Sequence, residues 1–156
     1  MNDRLELSDA DLSEQELASA TLLLVDDNQQ NLELMQAWLE PLGCRLEMAH
    51  DGQQAIEAAV RVHPDVVLLD VMMPRMSGFE ACRRLKDAPA TRDTVIIMVT
   101  SLNEVGDFER AVESGCDDFL TKPVNKLELT NRVKSLLRVR LLKRKVEELL
   151  CRRRGG

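Results

Sequence analysis

The chain has 156 residues, 27 of them acidic and 21 basic, with a net charge of −6, 44% hydrophobic residues and 31% charged residues. It is long enough to bury a core without disulfide or metal staples, and its composition is that of an ordinary soluble domain. No segment nears the roughly 20 apolar residues of a membrane span, and Asp3, Glu6, Asp9 and Asp11 make the N-terminus too acidic for a signal peptide, so a cytoplasmic protein is expected.

The charge is unevenly spread. Residues 1–20 hold six acids and one base, residues 21–124 eighteen acids and nine bases, and residues 125–156 three acids and eleven bases. An acidic body is thus followed by a basic terminal segment. Cys44, Cys82, Cys116 and Cys151 form no CxxC pair, so neither a zinc site nor a redox motif is suggested and reduced thiols are expected.

Residues 1–20 read as a flexible acidic leader, with a weak amphipathic pattern at Leu12 and Leu17 behind possible caps at Ser8 and Ser13. The apolar run Leu22-Leu23-Leu24-Val25 is the first strand and stops at Asp26-Asp27. Asn28 then looks like a helix cap, and Leu32, Leu34, Met35, Trp38 and Leu39 give helical periodicity until Pro41-Leu42-Gly43. Arg45 to Ala49 is a shorter strand, and Asp51-Gly52 turns into a helix from Gln53 to Val62. Val66 to Leu69 is a continuous apolar run, suited to a parallel strand buried on both faces, and it ends in Asp70. A Pro-containing loop leads through Ser77-Gly78 into a helix reaching about Lys86. Thr94 to Val99 is a fourth strand ending in Thr100-Ser101, a helix runs from about Glu104 to Glu113, and Asp118 to Thr121 is a fifth strand before Lys122-Pro123. Five strands alternating with five helices across short links predict parallel βαβ units with right-handed crossovers.

The expected fold is α/β, a doubly wound five-stranded parallel sheet with the last helix extended; its order is taken as 2-1-3-4-5, the flavodoxin-like arrangement known for such sheets, which the alternation alone does not dictate. Asp26, Asp27, Asp70, Thr100 and Lys122 then meet at the carboxyl edge of the sheet, beside the switch point where ligands of such sheets bind. Three converging carboxylates repel by several kcal/mol unless a counter-charge is present. An oxygen-rich site with few protein ligands suits Mg²⁺, which shares its shell with phosphate oxygens. Lys122 and the Thr100 hydroxyl would line the far side with groups suited to a phosphoryl group, and a carboxylate attacking phosphorus gives an aspartyl phosphate.

The set Asp26-Asp27, Asp70-x-x-Met73-Pro74-x-Met76-Ser77-Gly78, Thr100-Ser101 and Phe119-x-x-Lys122-Pro123 resembles the receiver domain of two-component response regulators, over roughly residues 20–140. The resemblance implies that Asp70 takes phosphate from the phosphohistidine of a sensor histidine kinase or phosphotransfer protein. It implies Mg²⁺ on Asp27 and Asp70, on Asp26 through water, and on the backbone carbonyl of Met72, with Lys122 and Thr100 on the phosphoryl oxygens. It also implies a cis Lys122-Pro123 bond and a rotameric switch at Phe119 that follows Thr100. Ser77, Ser101 and Phe119 depart mildly from the family pattern, where Asp, Ala and Tyr are frequent.

The domain plan is a leader over 1–20, a receiver over 21–137 and an extended C-terminal helix over 138–156, either a dimer stalk or a linker. Val139, Leu142, Val146 and Leu149 follow the 3-4-3 spacing of a coiled-coil seam. A homodimer through that helix, or through the face made by the helix from Glu104, the strand around Phe119 and the final helix, is expected. The basic runs Lys143-Arg144-Lys145 and Arg152-Arg153-Arg154 lack an appended helix-turn-helix or an aromatic platform, which disfavours direct nucleic-acid binding. Two other readings use the same residues. A small aspartyl-nucleophile phosphatase would carry Asp where Met72 stands, and a degenerate receiver used only for docking would lack site residues that are all present here.

Overall fold

A computed structural model describes residues 12–101 and 105–155. Its five strands are β1 (Thr21–Val25), β2 (Arg45–Ala49), β3 (Val66–Asp70), β4 (Val95–Thr100) and β5 (Asp118–Thr121). They form one parallel sheet in the order β2-β1-β3-β4-β5. The order matches the expectation from the sequence. Among the described residues six α-helices accompany them: α1 (Glu14–Ala18), α2 (Gln29–Leu39), α3 (Gly52–Val62), α4 (Gly78–Asp87), α5 (Val105–Ser114) and α6 (Lys126–Gly155).

The continuous apolar runs make sense once both faces of the sheet are covered. Leu22, Leu24, Val66, Leu68, Ile97 and Val99 point to one side, where Leu32, Met35, Leu129, Val133 and Leu137 of α2 and α6 bury them. The alternate residues Leu23, Val25, Val67, Leu69, Ile96 and Met98 point to the other, against α3, α4 and Ala111 of α5. A two-residue period divided between two helical layers makes every position of β3 and β4 buried.

The five longer helices, α2 to α6, are the five expected from the sequence, and the short α1 precedes them. It lies in the segment expected to be a leader, whose Ser8 and the residues before it lie outside the described residues. Ser13 accepts from the Glu16 N–H at 3.0 Å and Glu16 accepts from the Ser13 N–H at 2.9 Å, a reciprocal capping box. Leu12 and Leu17 then pack on the layer that contains α2 and α6.

The long helix α6 does not leave the body at residue 137. Arg144 Nη1 donates to Asp65 Oδ1 at 2.9 Å, and Arg140 Nε lies 3.5 Å from the same oxygen. Asp65 is buried at the start of β3, and its Oδ2 accepts from the Thr21 N–H at 3.0 Å. The amino edge of the sheet is thus tied to the terminal helix by one carboxylate. At the other end of the same helix, Arg132 reaches both Asp118 oxygens at 2.8 Å, fixing the start of α6 to β5. No described helix is long and apolar enough to cross a membrane.

Candidate functional site

The site is assembled where β1, β3, β4 and the chain after β5 end. Asp26 follows β1, and a buried carboxylate must find donors. It finds them in the turn that opens α2: the Asn28 N–H donates to Oδ1 at 2.9 Å and the Asn31 Nδ2 to Oδ2 at 3.2 Å. Asn28 also caps α2 through the Asn31 N–H at 3.1 Å. Sequence reasoning identified Asn28 as a cap and missed Asn31, whose place in the first turn five residues after Asp26 was the available signal.

Asp70 is the last residue of β3 and is 3% exposed. In the loop that follows, the Gly78 N–H donates to the Val71 carbonyl at 2.9 Å. A Cβ at Gly78 would collide with the Asp70 carbonyl oxygen and stand 2.8 Å from Val71 Cα, so only glycine lets α4 begin this close to the end of β3. Ser77 caps α4 by accepting from the Glu80 N–H at 3.3 Å.

Asp26, Asp27 and Asp70 bring carboxylate oxygens within 4.8 Å of one another, the first and third buried and the second exposed. Lys122 Nζ lies 3.2 Å from Asp70 Oδ1 and 3.5 Å from Asp26 Oδ2. One cation therefore faces three carboxylates. Burial, and then the Asp26 carboxylate, push the Asp70 carboxyl up to about 6, against the pull of Lys122 and with a further push from Asp27. Burial would lower the Lys122 ammonium, but Asp70 and Asp26 outweigh it and hold the group above its ordinary range. Asp27 has no cationic partner among the described residues. The donor set is entirely oxygen and short of positive charge, which fits a hard divalent cation.

Thr100 ends β4 fully buried, and its carbonyl accepts from the Lys122 N–H at 2.7 Å, so the Lys122 backbone is hung from the Thr100 strand end. The Lys122-Pro123 bond is cis. Phe119, half-buried, packs on Phe108 with ring centroids 4.8 Å apart. Met72 is exposed in the β3–α4 loop and lines, with Asp27, a cavity of about 320 Å³ that sequence reasoning did not foresee. A second cavity of about 230 Å³ opens on the other side, between Asp26 and Lys122 and the apolar side chains of Leu34, Trp38 and Pro123. Burial pushes the Cys44 and Cys116 thiols up to about 11, which keeps them protonated and unreactive.

Comparison with known proteins agrees with this arrangement. The family model for the response regulator receiver domain matches residues 22–134. The chain is 44% identical over 138 residues to the response regulator PleD of Caulobacter vibrioides, which covers 88% of this chain and 30% of that protein. It is 37% identical over 117 residues to the DNA-binding dual master transcriptional regulator RpaA of Synechocystis sp., covering 75% of this chain and 48% of that protein. The chain thus spans less than half the length of either relative. Among solved structures, the receiver domain of a signal transduction histidine kinase from Syntrophus aciditrophicus matches with a TM-score of 0.72 at 36% identity, over 76% of this chain and 89% of that one. The receiver domain of the sensor histidine kinase PA1611 from Pseudomonas aeruginosa, which has a magnesium ion coordinated in its active site cleft, matches with a TM-score of 0.70 at 32% identity, over 76% of this chain and 97% of that one.

Proposed function

This chain belongs to the response regulator receiver domain family of two-component signalling, and from that premise we propose that Asp70 accepts a phosphoryl group from the phosphohistidine of a sensor histidine kinase or phosphotransfer protein. The observation that carries the reading is the Lys122 ammonium shared between Asp26 and Asp70 inside a cluster of three carboxylates. A structural ion pair needs one carboxylate, and the excess negative charge here is suited to chemistry that brings in cations and phosphoryl oxygens.

Asp26, Asp27 and Asp70, with the backbone carbonyl of Met72, would hold Mg²⁺. When bound, the ion supplies the positive charge that lets a phosphoryl group approach three carboxylates. An Asp70 oxygen forms the new bond to phosphorus, the phosphorus–nitrogen bond to the donor histidine breaks, and its electron pair returns to the imidazole. Lys122 moves its ammonium from the carboxylates to a phosphoryl oxygen, and the Thr100 hydroxyl takes another. Movement of Thr100 admits the Phe119 ring to a more buried position, which its lack of a hydroxyl favours. The β5 surface and the helices beside it carry that change outward. The protein acts as a cytoplasmic switch rather than a turnover enzyme, its output a homodimer or a separate partner.

Incubation with Mg²⁺ and a small phosphodonor, followed by mass spectrometry, tests the reading. Modification of Asp70 is expected, and modification elsewhere or sustained release of phosphate from an organic ester would overturn it.

A further inference from the structure

The cavity beside Asp27 has a composition that phosphoryl transfer from histidine does not account for. The Arg110 guanidinium of α5 lies 4.4 Å from the centre of the Phe79 ring, a stack that holds a cation over an apolar surface. Arg110 has no ion-pair partner among the described residues. With Val71, Met73 and Pro74 these two side chains wall the cavity of about 320 Å³ that opens at Asp27. The Asp27 carboxylate is in turn within 4.8 Å of that of Asp70. The cavity is therefore an annex to the phosphoacceptor with an apolar floor and one unpaired cation in its wall. A short acyl group that becomes a carboxylate fits both properties, whereas a neutral polar leaving group uses neither.

Resting on Asp70 as phosphoacceptor, we propose that the Arg110–Phe79 cavity binds the acyl end of small acyl phosphates, and that Arg110 pairs with the carboxylate released when their phosphoryl group moves to Asp70. An Asp70 oxygen bonds to phosphorus, the anhydride oxygen–phosphorus bond breaks, and the electron pair leaves on the acyl oxygen. Negative charge grows on that oxygen during the step, which is where a positioned guanidinium lowers the barrier. Phosphoramidate provides the contrast, because its leaving group departs from a protonated nitrogen as neutral ammonia.

The experiment follows phosphorylation of the full chain by intact mass with acetyl phosphate and, separately, with phosphoramidate, for the natural protein, Arg110→Ala and Arg110→Lys. Arg110→Ala is expected to slow acetyl phosphate about tenfold, the loss of one charge-assisted contact in the transition state, while the phosphoramidate rate stays about the same. Arg110→Lys, which keeps the cation, recovers most of the acetyl phosphate rate. An equal fall with both donors would mean a structural role for Arg110, and no fall with either would mean none; each overturns the proposal while leaving Asp70 as acceptor. Failure of the natural protein to take phosphate from either donor overturns both readings together.

Discussion

Asp70 concentrates the electrostatic cost of the site in one side chain. Its carboxyl is raised from 3.8 to about 6 by burial and by Asp26, so the folded state holds this proton more tightly than the unfolded chain does. The resulting stabilisation is complete below the unfolded value and is lost as pH rises through about 6, a change of about 3 kcal/mol at 1.36 kcal/mol per unit. In metal-free protein Asp70→Asn should therefore be more stable than the natural chain by about 1–3 kcal/mol at neutral pH, with the advantage gone near pH 4. Urea unfolding with a chelator at both pH values measures this, and an advantage that persists in acid contradicts it. Lys122→Ala is expected to slow phosphoryl acceptance about a hundredfold, as loss of one preorganised cation does, while Mg²⁺ still binds. Titration of metal binding beside the phosphorylation rate separates the two effects.

At the scale of elements, the close approach of α4 to the end of β3 is the tightest constraint. Gly78→Ala should cost about 1–3 kcal/mol through overpacking against the Asp70 carbonyl and Val71. It should also slow phosphorylation, since the loop that carries Met72 must shift; a melting curve and a phosphorylation time course check both parts. Asp65→Ala would strand Arg140 and Arg144 beside a buried strand end and free the Thr21 N–H. A loss of about 3 kcal/mol is expected, discounted for the partial exposure of Arg144, and denaturant unfolding reads it. These two features mark what was legible. The strands and their polar ends at Asp26, Asp27, Asp70 and Lys122 could be read because each signal is local, an apolar run followed by a polar residue, while their order and convergence came from the rule for doubly wound sheets. Asp65 could not, because Thr21 lies 44 residues and Arg144 79 residues away in sequence. The stack of Arg110 on Phe79 was hidden for the same reason, whereas α1 left only a faint signal, the Ser13 cap and Leu17, because five residues are too few to show helical periodicity.

Over the whole molecule, the tied and the free faces of α6 are distinct. Leu129, Val133 and Leu137 are buried against the sheet, while Val139, Leu142, Val146 and Leu149 are each about half exposed in a row along the helix. The proposed homodimer would use this row, since its 3-4-3 spacing suits packing against a second copy of the same helix. With Mg²⁺ and beryllofluoride, light scattering should report a dimer, and Leu142→Glu with Val146→Glu should keep the protein monomeric without slowing phosphorylation of Asp70. A double variant that still dimerises would move the interface to the α5–β5–α6 face. The Asp65 tie also determines how such an interface could feel the sheet. It makes a fulcrum of Arg144, and the residues from there to Gly155 form a lever arm of about 16 Å at 1.5 Å per residue. A tilt of about 10° at the fulcrum sweeps the tip through about 3 Å, so a change too small to disturb the core is enlarged at the helix end to about the width of a side chain.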